Sequence, residues 1–215
     1  MGIAERKERE KMQRRKAIIQ AGKKLISKLG VDGMSMNQLA ESTELNKATL
    51  YLYFSNKDDL IDAIVYEGLL LLEKKFRDIE RQSISGLEKV LKLVDAMFSF
   101  YKEYPVYFHA FNHQERRTPN ARMETPFAIK GNEAASRIFG KIADGLRQGI
   151  EEGCIRKEID INAVIILIYA HTYGVMHTIH SKEDVYKDVL SMDSESVEKS
   201  ALEFIEFYLR NGNQS

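Results

Sequence analysis

The chain of 215 residues has one cysteine, three prolines, no tryptophan and no net charge. Cys154, standing alone, excludes any intrachain disulfide and suits a reducing compartment, with a redox-sensor role as a minor alternative. The prolines, Pro105, Pro119 and Pro126, leave long stretches without a helix breaker. No run shows sustained strand alternation, and Lys, Glu, Leu, Ala and Ile dominate, so the expected class is all-α. The N-terminal charges are not followed by the apolar core of a signal peptide. The most apolar run, Ala163–Ala170, falls below the ~18 residues of a membrane span. With 44% apolar and 30% charged residues, the composition reads as globular and cytoplasmic. No Gly-rich phosphate loop, serine-nucleophile elbow or metal-ligand cluster is present, so an enzyme is not expected, nor a cofactor or bound metal.

Zero net charge by itself argues against nucleic acid, but its distribution reverses that reading. Residues 1–28 hold ten Lys/Arg against three Glu, and residues 1–60 carry +4, which leaves −4 for the rest. A basic N-terminal unit on an acidic body is the footprint of a protein that touches phosphates at one end.

Periodicity predicts a first helix over 5–29, with Ile18, Ala21, Leu25 and Leu29 as its apolar stripe and Gly30 as its stop. Ser35 and Gln38 form a capping-box pattern for a helix at 36–42 that buries Met36, Leu39 and Ala40. Leu45 plugs a tight turn, and Asn46 caps a short helix, 47–53. That helix exposes Thr49, Tyr51 and Tyr53 and buries Leu50 and Phe54. A short helix with hydroxyls on its outer face, second of a pair and preceded by a basic helix, is what inserts into a DNA groove. Asp58 and Asp59 open a fourth helix, expected to reach Arg81 with Leu60, Ile61, Ile64, Leu71 and Phe76 inward and to link the N-terminal unit to the body. Further helices are expected at 85–103, 105–116, 125–152, 160–181 and 194–210, with a loop at Thr118-Pro119-Asn120. Gly145, Gly149 and Gly153, at four-residue steps, would let another helix approach closely. The helix begun by Asp160 is apolar all round at Val164–Ala170, which implies burial on every side.

Leu45, Lys47, Thr49, Leu50, Tyr51, Tyr53, Phe54 and Lys57, preceded by Gly33-Met34-Ser35-Met36 and Leu39-Ala40, resemble by type and spacing the DNA-reading segment of the TetR family of bacterial regulators. The resemblance covers about 50 residues. It implies about nine helices: a helix-turn-helix DNA-binding domain, placed here at 1–56, and a ligand-binding and dimerisation domain at 57–215. It assigns DNA contacts to Ser35, Met36, Asn46, Lys47, Ala48, Thr49, Tyr51, Leu52, Tyr53 and Lys57. Lys47, Ala48 and Thr49 would meet base edges, Tyr51 and Tyr53 phosphates or sugars, and Lys57 a phosphate. Glu44 departs from the pattern: it stands where the family's turn usually has glycine. A left-handed backbone there would cost roughly 1 kcal/mol, and the carboxylate adds negative charge near the groove.

In the body, seven aromatics crowd residues 98–111. The resemblance would make this region a wall of an effector cavity, with Phe98, Tyr101, Tyr104, Phe108 and Phe111 on one side and Tyr169, Tyr173 and His177 on the other. A packed aromatic core is the equal alternative. The pairs His109/His113 and His177/His180 share helix faces, but metal sensing is the lesser reading for them. The last two helices carry more apolar surface than one body should bury. The family's two-fold bundle would use Val164, Ile168, Val197, Ala201, Phe204, Ile205 and Tyr208 at a homodimer interface. The expected function is a ligand-responsive, dimeric transcriptional regulator, read as a repressor released from its DNA operator by a small, largely apolar or aromatic effector. The alternative is a helical interaction module that has lost specific DNA binding.

Overall fold

The computed structural model describes residues 2–118, 125–191 and 193–212. Among these, nine α-helices account for the architecture: α1 Ile3–Gly33, α2 Met36–Ser42, α3 Lys47–Tyr51, α4 Lys57–Glu80, α5 Gly86–Glu103, α6 Pro105–Glu115, α7 Pro126–Glu151, α8 Ile161–Leu190 and α9 Ser194–Leu209. The helical class and element order agree with the sequence expectation. Pro119 and Asn120 of the expected loop lie outside the described residues.

Local signals set the ends. Gly30 adopts φ +73°, a conformation open to glycine, and interrupts α1 where a stop was expected. Asp160 Oδ1 accepts from the amides of Asn162 and Ala163 at the start of α8, and Asp193 Oδ1 accepts from Ser196 N at the start of α9. At the start of α4, Asn56 Oδ1 accepts from Asp59 N, and an Asp59 carboxylate oxygen from Ser55 N.

The chain forms two compact units, residues 1–69 with 104–133, and residues 70–103 with 134–215. The first holds α1, α2, α3, α6 and the opening turns of α4 and α7. Its core is built on Ile18, Ile26, Leu39, Leu50, Phe54, Leu60, Ile61, Ile64 and Phe108. In α1 the buried arc runs through Ile18, Ile19, Gly22 and Ile26; Leu29, expected inside, is 39% exposed. Gly22 permits this arc, because a Cβ there would stand 3.0 Å from a Leu60 methyl of α4.

The second unit holds α5, α8, α9 and the remaining lengths of α4 and α7. In α4, Leu72 and Phe76 are buried whereas Leu71, expected inward, is 36% exposed. Two of the three expected glycines, Gly145 and Gly149, admit the close approach their spacing suggested, whereas Gly153 lies beyond the end of α7 at φ +76° with nothing within 4 Å of a Cβ placed there. Gly86 at the start of α5 sits against α7 so closely that a Cβ would fall 2.0 Å from Gly149 N and 2.5 Å from Gly145 O. Glu152 accepts from the Gly86 amide at 2.7 Å, which holds its carboxyl below the usual range. An isolated antiparallel bridge, Ile155 with Arg210, ties the α7–α8 loop to the end of α9.

Helix α8 differs from its expectation in two ways. It runs to Leu190, and it is not buried on every side: Ile166 is 66% and Leu167 54% exposed, while Val164 and Ile168 are buried. One chain covers one face of the apolar run and leaves the other open. With its flanks, Ile161–Ser181 is also long and apolar enough to cross a membrane by length and composition, unlike the eight-residue run considered above. A bundle helix with an uncovered apolar face passes the same test.

Candidate nucleic-acid interface

The helix-turn-helix is assembled by short-range hydrogen bonds. Ser35 Oγ accepts from Gln38 N at 3.3 Å, and the Gln38 side chain accepts from Ser35 N at 2.8 Å, a complete capping box. At the end of α2, Thr43 Oγ1 donates to Leu39 O at 2.8 Å. The chain then reverses through Glu44 at φ +54°, the left-handed conformation feared for that position. Leu45 N returns to Ala40 O at 3.0 Å, and Asn46 Oδ1 accepts from Thr49 N at 2.8 Å to start α3.

Helix α3 is one turn and a half, and it ends at Tyr51 rather than at residue 53. Tyr53 and Phe54 follow in a turn, both donating their amides to Leu50 O. Leu50 and Phe54 have no exposed surface, and with them as pins the outer face is determined. Lys47, Ala48, Tyr51 and Leu52 are exposed, Thr49 and Tyr53 half-buried. Leu52 is the most prominent at 78%. Ser35 and Asn46 are exposed caps, and Met36 is half-buried rather than inside. Lys57 is half-buried and donates to Asp32 O at 3.3 Å, which fixes its ammonium beside the end of α1.

Behind α3 lies a layer that sequence reasoning did not find. Phe54 stacks on Phe127 of α7 with ring centroids 6.1 Å apart, and the Arg15 guanidinium sits 5.6 Å from the same ring. Beside it, Asp62 is wholly buried and accepts from Gln114 Nε2 (2.8 Å), Arg117 Nη1 (2.7 Å) and Thr125 Oγ1 (2.8 Å). His113 lies between two carboxylates, 3.2 Å from Asp58 and 3.6 Å from Asp32. Arg116 hydrogen-bonds Asp32 and holds that carboxyl below its ordinary value. Lys23 of α1 meets Glu67 and the Tyr107 hydroxyl at 2.7 and 2.9 Å. Burial opposes the Lys23 charge, yet those two hydrogen bonds outweigh it and raise its pKa. Burial also raises the Tyr107 phenol. No spacing in the sequence says which of these charges meet, since their partners lie on or beside different helices.

A groove of about 550 Å³ runs beside α3, lined by Thr49, Leu52 and Tyr53 on one side and by Lys7, Glu10, Lys11 and Arg14 of α1 on the other. The basic N-terminal helix was legible as a charge, but none of its residues was assigned a role.

The eight residues expected to line an effector cavity divide between the two units. Tyr104, Phe108 and Phe111 belong to the first, where Phe108 is core. Phe98, Tyr101, Tyr169, Tyr173 and His177 belong to the second. Phe98 is fully buried. Tyr169, Tyr173 and His177 form a ladder along α8, with centroids 6.1 and 5.9 Å apart at successive steps, and Phe139 meets Tyr169 edge-on. Among the described residues, no group of three or more His, Cys, Asp or Glu is placed to hold a metal ion.

Of the expected interface residues, Val164, Ile168, Ala201 and Ile205 are buried within one chain, and Val197 is half-buried. Phe204 is 61% and Tyr208 37% exposed, joined by Ile166, Leu167 and Phe207. Together α8 and α9 form an almost wholly apolar groove of about 440 Å³, with Val164, Ile168 and Ile205 on its floor and Leu167, Phe204 and Tyr208 on its walls.

Comparison with known proteins agrees with this geometry. Residues 18–64 match the family described as "Bacterial regulatory proteins, tetR family". The chain is 25% identical over 143 residues to the uncharacterised HTH-type transcriptional regulator YhgD of Bacillus subtilis, covering 66% of this chain and 74% of that one. It is 21% identical over 160 residues to the HTH-type transcriptional repressor KstR2 of Mycobacterium tuberculosis, covering 74% and 78%. The crystal structure of the Bacillus subtilis regulator FadR in complex with stearoyl-CoA superposes with a TM-score of 0.69 at 20% identity, over 89% of this chain and 97% of that one. The fold is shared with FadR, the DNA-reading segment lies where the family match lies, and the curated relatives named here are transcriptional regulators. Residues 18–64 thus carry the DNA-reading domain of the bacterial regulatory proteins of the tetR family.

Proposed function

We propose that this regulator is a homodimeric repressor that leaves its operator when a small, largely apolar effector binds. The observation that carries the DNA side is α3, a helix locked by Asn46 and pinned by Leu50 and Phe54, which exposes Lys47, Ala48 and Tyr51 and leaves Thr49 half-buried beside them. Lys47 has the donors for guanine O6 and N7, the Thr49 methyl suits thymine, and Ala48 lets the backbone come close. Tyr51, Tyr53 and Lys57 serve the phosphates and sugars that set register. Residues 1–56 are then the reading domain and residues 57–215 the sensing and dimerising one, working in the cytoplasm and without a catalytic step.

The apolar α8–α9 groove supports the dimer. Two reading units on one two-fold axis are what half-sites about 34–36 Å apart require. The effector class is supported by the stacked α8 ladder with Phe98 and Tyr101, and by the ligand of the FadR complex. A long acyl thioester is therefore the first compound to try. Moving the population from 1:99 to 99:1 requires the effector to bind the DNA-free conformation about 10⁴-fold more tightly.

The test is titration of the purified protein against duplex from its own upstream region, with Tyr51→Ala alongside and stearoyl-CoA added to the preformed complex. Specific binding, weakened about tenfold or more in the variant and released by the thioester, is the expected result. Binding that the thioester leaves intact rejects this effector class and keeps the regulator. Equal, weak binding to every duplex, in a genome-wide selection as well, favours an interaction module. Glu44, with its carboxylate beside α3, is the feature that supports that second reading.

A further inference from the structure

Two helices, α4 and α7, carry residues of both compact units. Helix α4 is the link expected from the sequence, but α7 is anchored on both sides as well. Its start is fixed within the first unit. Thr125 Oγ1 donates to the buried Asp62 carboxylate at 2.8 Å and accepts from Ala128 N at 2.9 Å, so one hydroxyl caps α7 and ties it to α4. Phe127 then stacks on Phe54 at 6.1 Å and meets Tyr66 at 6.3 Å. The Arg15 and Lys130 cations lie 5.6 and 5.8 Å from the centroid of the same ring. Phe127 stands outside residues 18–64, so the family match assigns it nothing.

About three turns further on, the same helix is built into the second unit. Phe139 meets Tyr169, the first ring of the α8 ladder, edge-on at 5.8 Å. Arg137 makes two hydrogen bonds to Glu73, and Ala134, Ile138 and Ile142 are buried. The segment from Phe127 to Phe139 has no proline and stays α-helical throughout. It therefore carries a displacement along its length rather than absorbing it in a kink.

We propose that Phe127 is a positioning residue for α3 and that α7 carries the effector's signal to it. Phe54 serves two neighbours: it pins α3, with no exposed surface, and it stacks on Phe127. A packed core repacks rather than compresses, so a shift of the Phe127 ring moves Phe54 and, with it, the outward face of α3. An effector seated on the ladder of Tyr169, Tyr173 and His177 displaces Phe139, and α7 delivers that displacement behind the reading helix. This rests on the DNA reading of α3 and on the ladder as the effector wall. It adds to α4 a second route, which enters the reading domain at the back of α3. Coupling is reciprocal, so DNA held by α3 is felt at Phe139 even without effector.

The chain has no tryptophan, so Phe139→Trp places a single fluorescent reporter beside Tyr169. Duplex selected by the wild type is titrated into this protein, and into the same protein with Phe127→Leu or Phe127→Tyr added. Saturating duplex should change the reporter's emission. Phe127→Leu should lose most of that change, and Phe127→Tyr, which keeps the ring, should retain it. Without the reporter, Phe127→Leu should weaken binding to the selected duplex about tenfold and leave a mixed-sequence duplex within about twofold, because phosphate contacts tolerate a tilted α3 and base contacts do not. It should also lower the factor by which stearoyl-CoA weakens duplex binding, about fivefold or more. Thermal unfolding identifies a misfolded variant, in which case Phe127→Met replaces Phe127→Leu. A reporter that ignores bound duplex overturns the α7 route. A response that Phe127→Leu keeps in full overturns the role of Phe127, as does equal weakening on both duplexes. Stearoyl-CoA without effect, beside a reporter that answers duplex through Phe127, rejects that effector and supports the route. A wild type that binds no duplex overturns the DNA reading and the route with it.

Discussion

The two units of this chain expose opposite chemistries. The first buries its apolar side chains around Leu50, Phe54 and Leu60 and engages many of its internal charges with one another: Asp62 with Arg117, His113 with Asp58, Lys23 with Glu67. Along α1 and α3 it presents Lys7, Lys11, Arg14 and Lys47. The second pairs its charges too, as in Arg137 with Glu73 and Lys141 with Glu80, but what it leaves uncovered on α8 and α9 is Ile166, Leu167, Phe204 and Phe207. A cationic surface suits a polyanion, and an apolar one suits another protein surface that also needs cover. Where each unit is incomplete indicates what it is for.

The contrast can be broken most severely at Asp62. Asp62→Ala leaves the Arg117 guanidinium, only 11% exposed, without its principal carboxylate, and should destabilise the protein by about 3–5 kcal/mol. A urea-denaturation loss under about 1 kcal/mol would show that the buried pair is not what holds the first unit's charges. On the apolar side, Phe204→Glu/Phe207→Glu places carboxylates at positions 61% and 84% exposed in one chain. Folding should hardly change, while self-association measured by sedimentation weakens about 100-fold or more, the equivalent of roughly 2.7 kcal/mol. An unchanged dimer would move the interface elsewhere.

Two smaller effects sharpen the comparison. Arg137 makes two hydrogen bonds to Glu73, and this holds the Glu73 carboxyl below its ordinary 4.5. A depressed folded-state pKa means stability that is present above pH 4.5 and lost as pH falls through the lowered value. The gap in unfolding free energy between wild type and Glu73→Gln should therefore be widest near neutrality, of order 1 kcal/mol or less with Arg137 half exposed, and should close on acidification below 4.5. A gap independent of pH would mean that packing, not charge, stabilises this pair. Last, Glu44→Gly removes a left-handed strain of roughly 1 kcal/mol against an entropy penalty of about half to all of that. Stability should change by a few tenths of a kcal/mol at most, but DNA binding should strengthen as a carboxylate leaves the vicinity of α3. A variant with no gain in affinity would separate the turn's strain from its charge.

The helix-turn-helix was almost entirely legible because its determinants are local. The capping box of Ser35, the cap of Asn46 and the burial of Leu50 and Phe54 all act within a few residues, and each stands where spacing put it. The left-handed Glu44 was legible for the same reason, since a tight turn constrains its own backbone. Faces of longer helices were less so. Leu71 and Leu72 are chemically alike and adjacent, and only the neighbours of α4 decide that Leu72 is inside. The carboxylates around His113 come from Asp32 and Asp58, 81 and 55 positions earlier, beyond the reach of any local pattern.

By itself, then, the sequence determined helical class, helix order, caps, the close approach at Gly145 and Gly149 of α7 and the pinning of α3 by Leu50 and Phe54. These follow from hydrogen bonds and side-chain periods that close within one or two turns. Tertiary structure alone decided that α8 is covered on one side only, that Gly86 is what approaches Gly145 and Gly149, that Asp62 gathers Gln114, Arg117 and Thr125, and that Lys7, Lys11 and Arg14 flank α3. Each of these depends on which distant surface a helix meets, and burial and ion pairing take their energy from that meeting rather than from the segment itself.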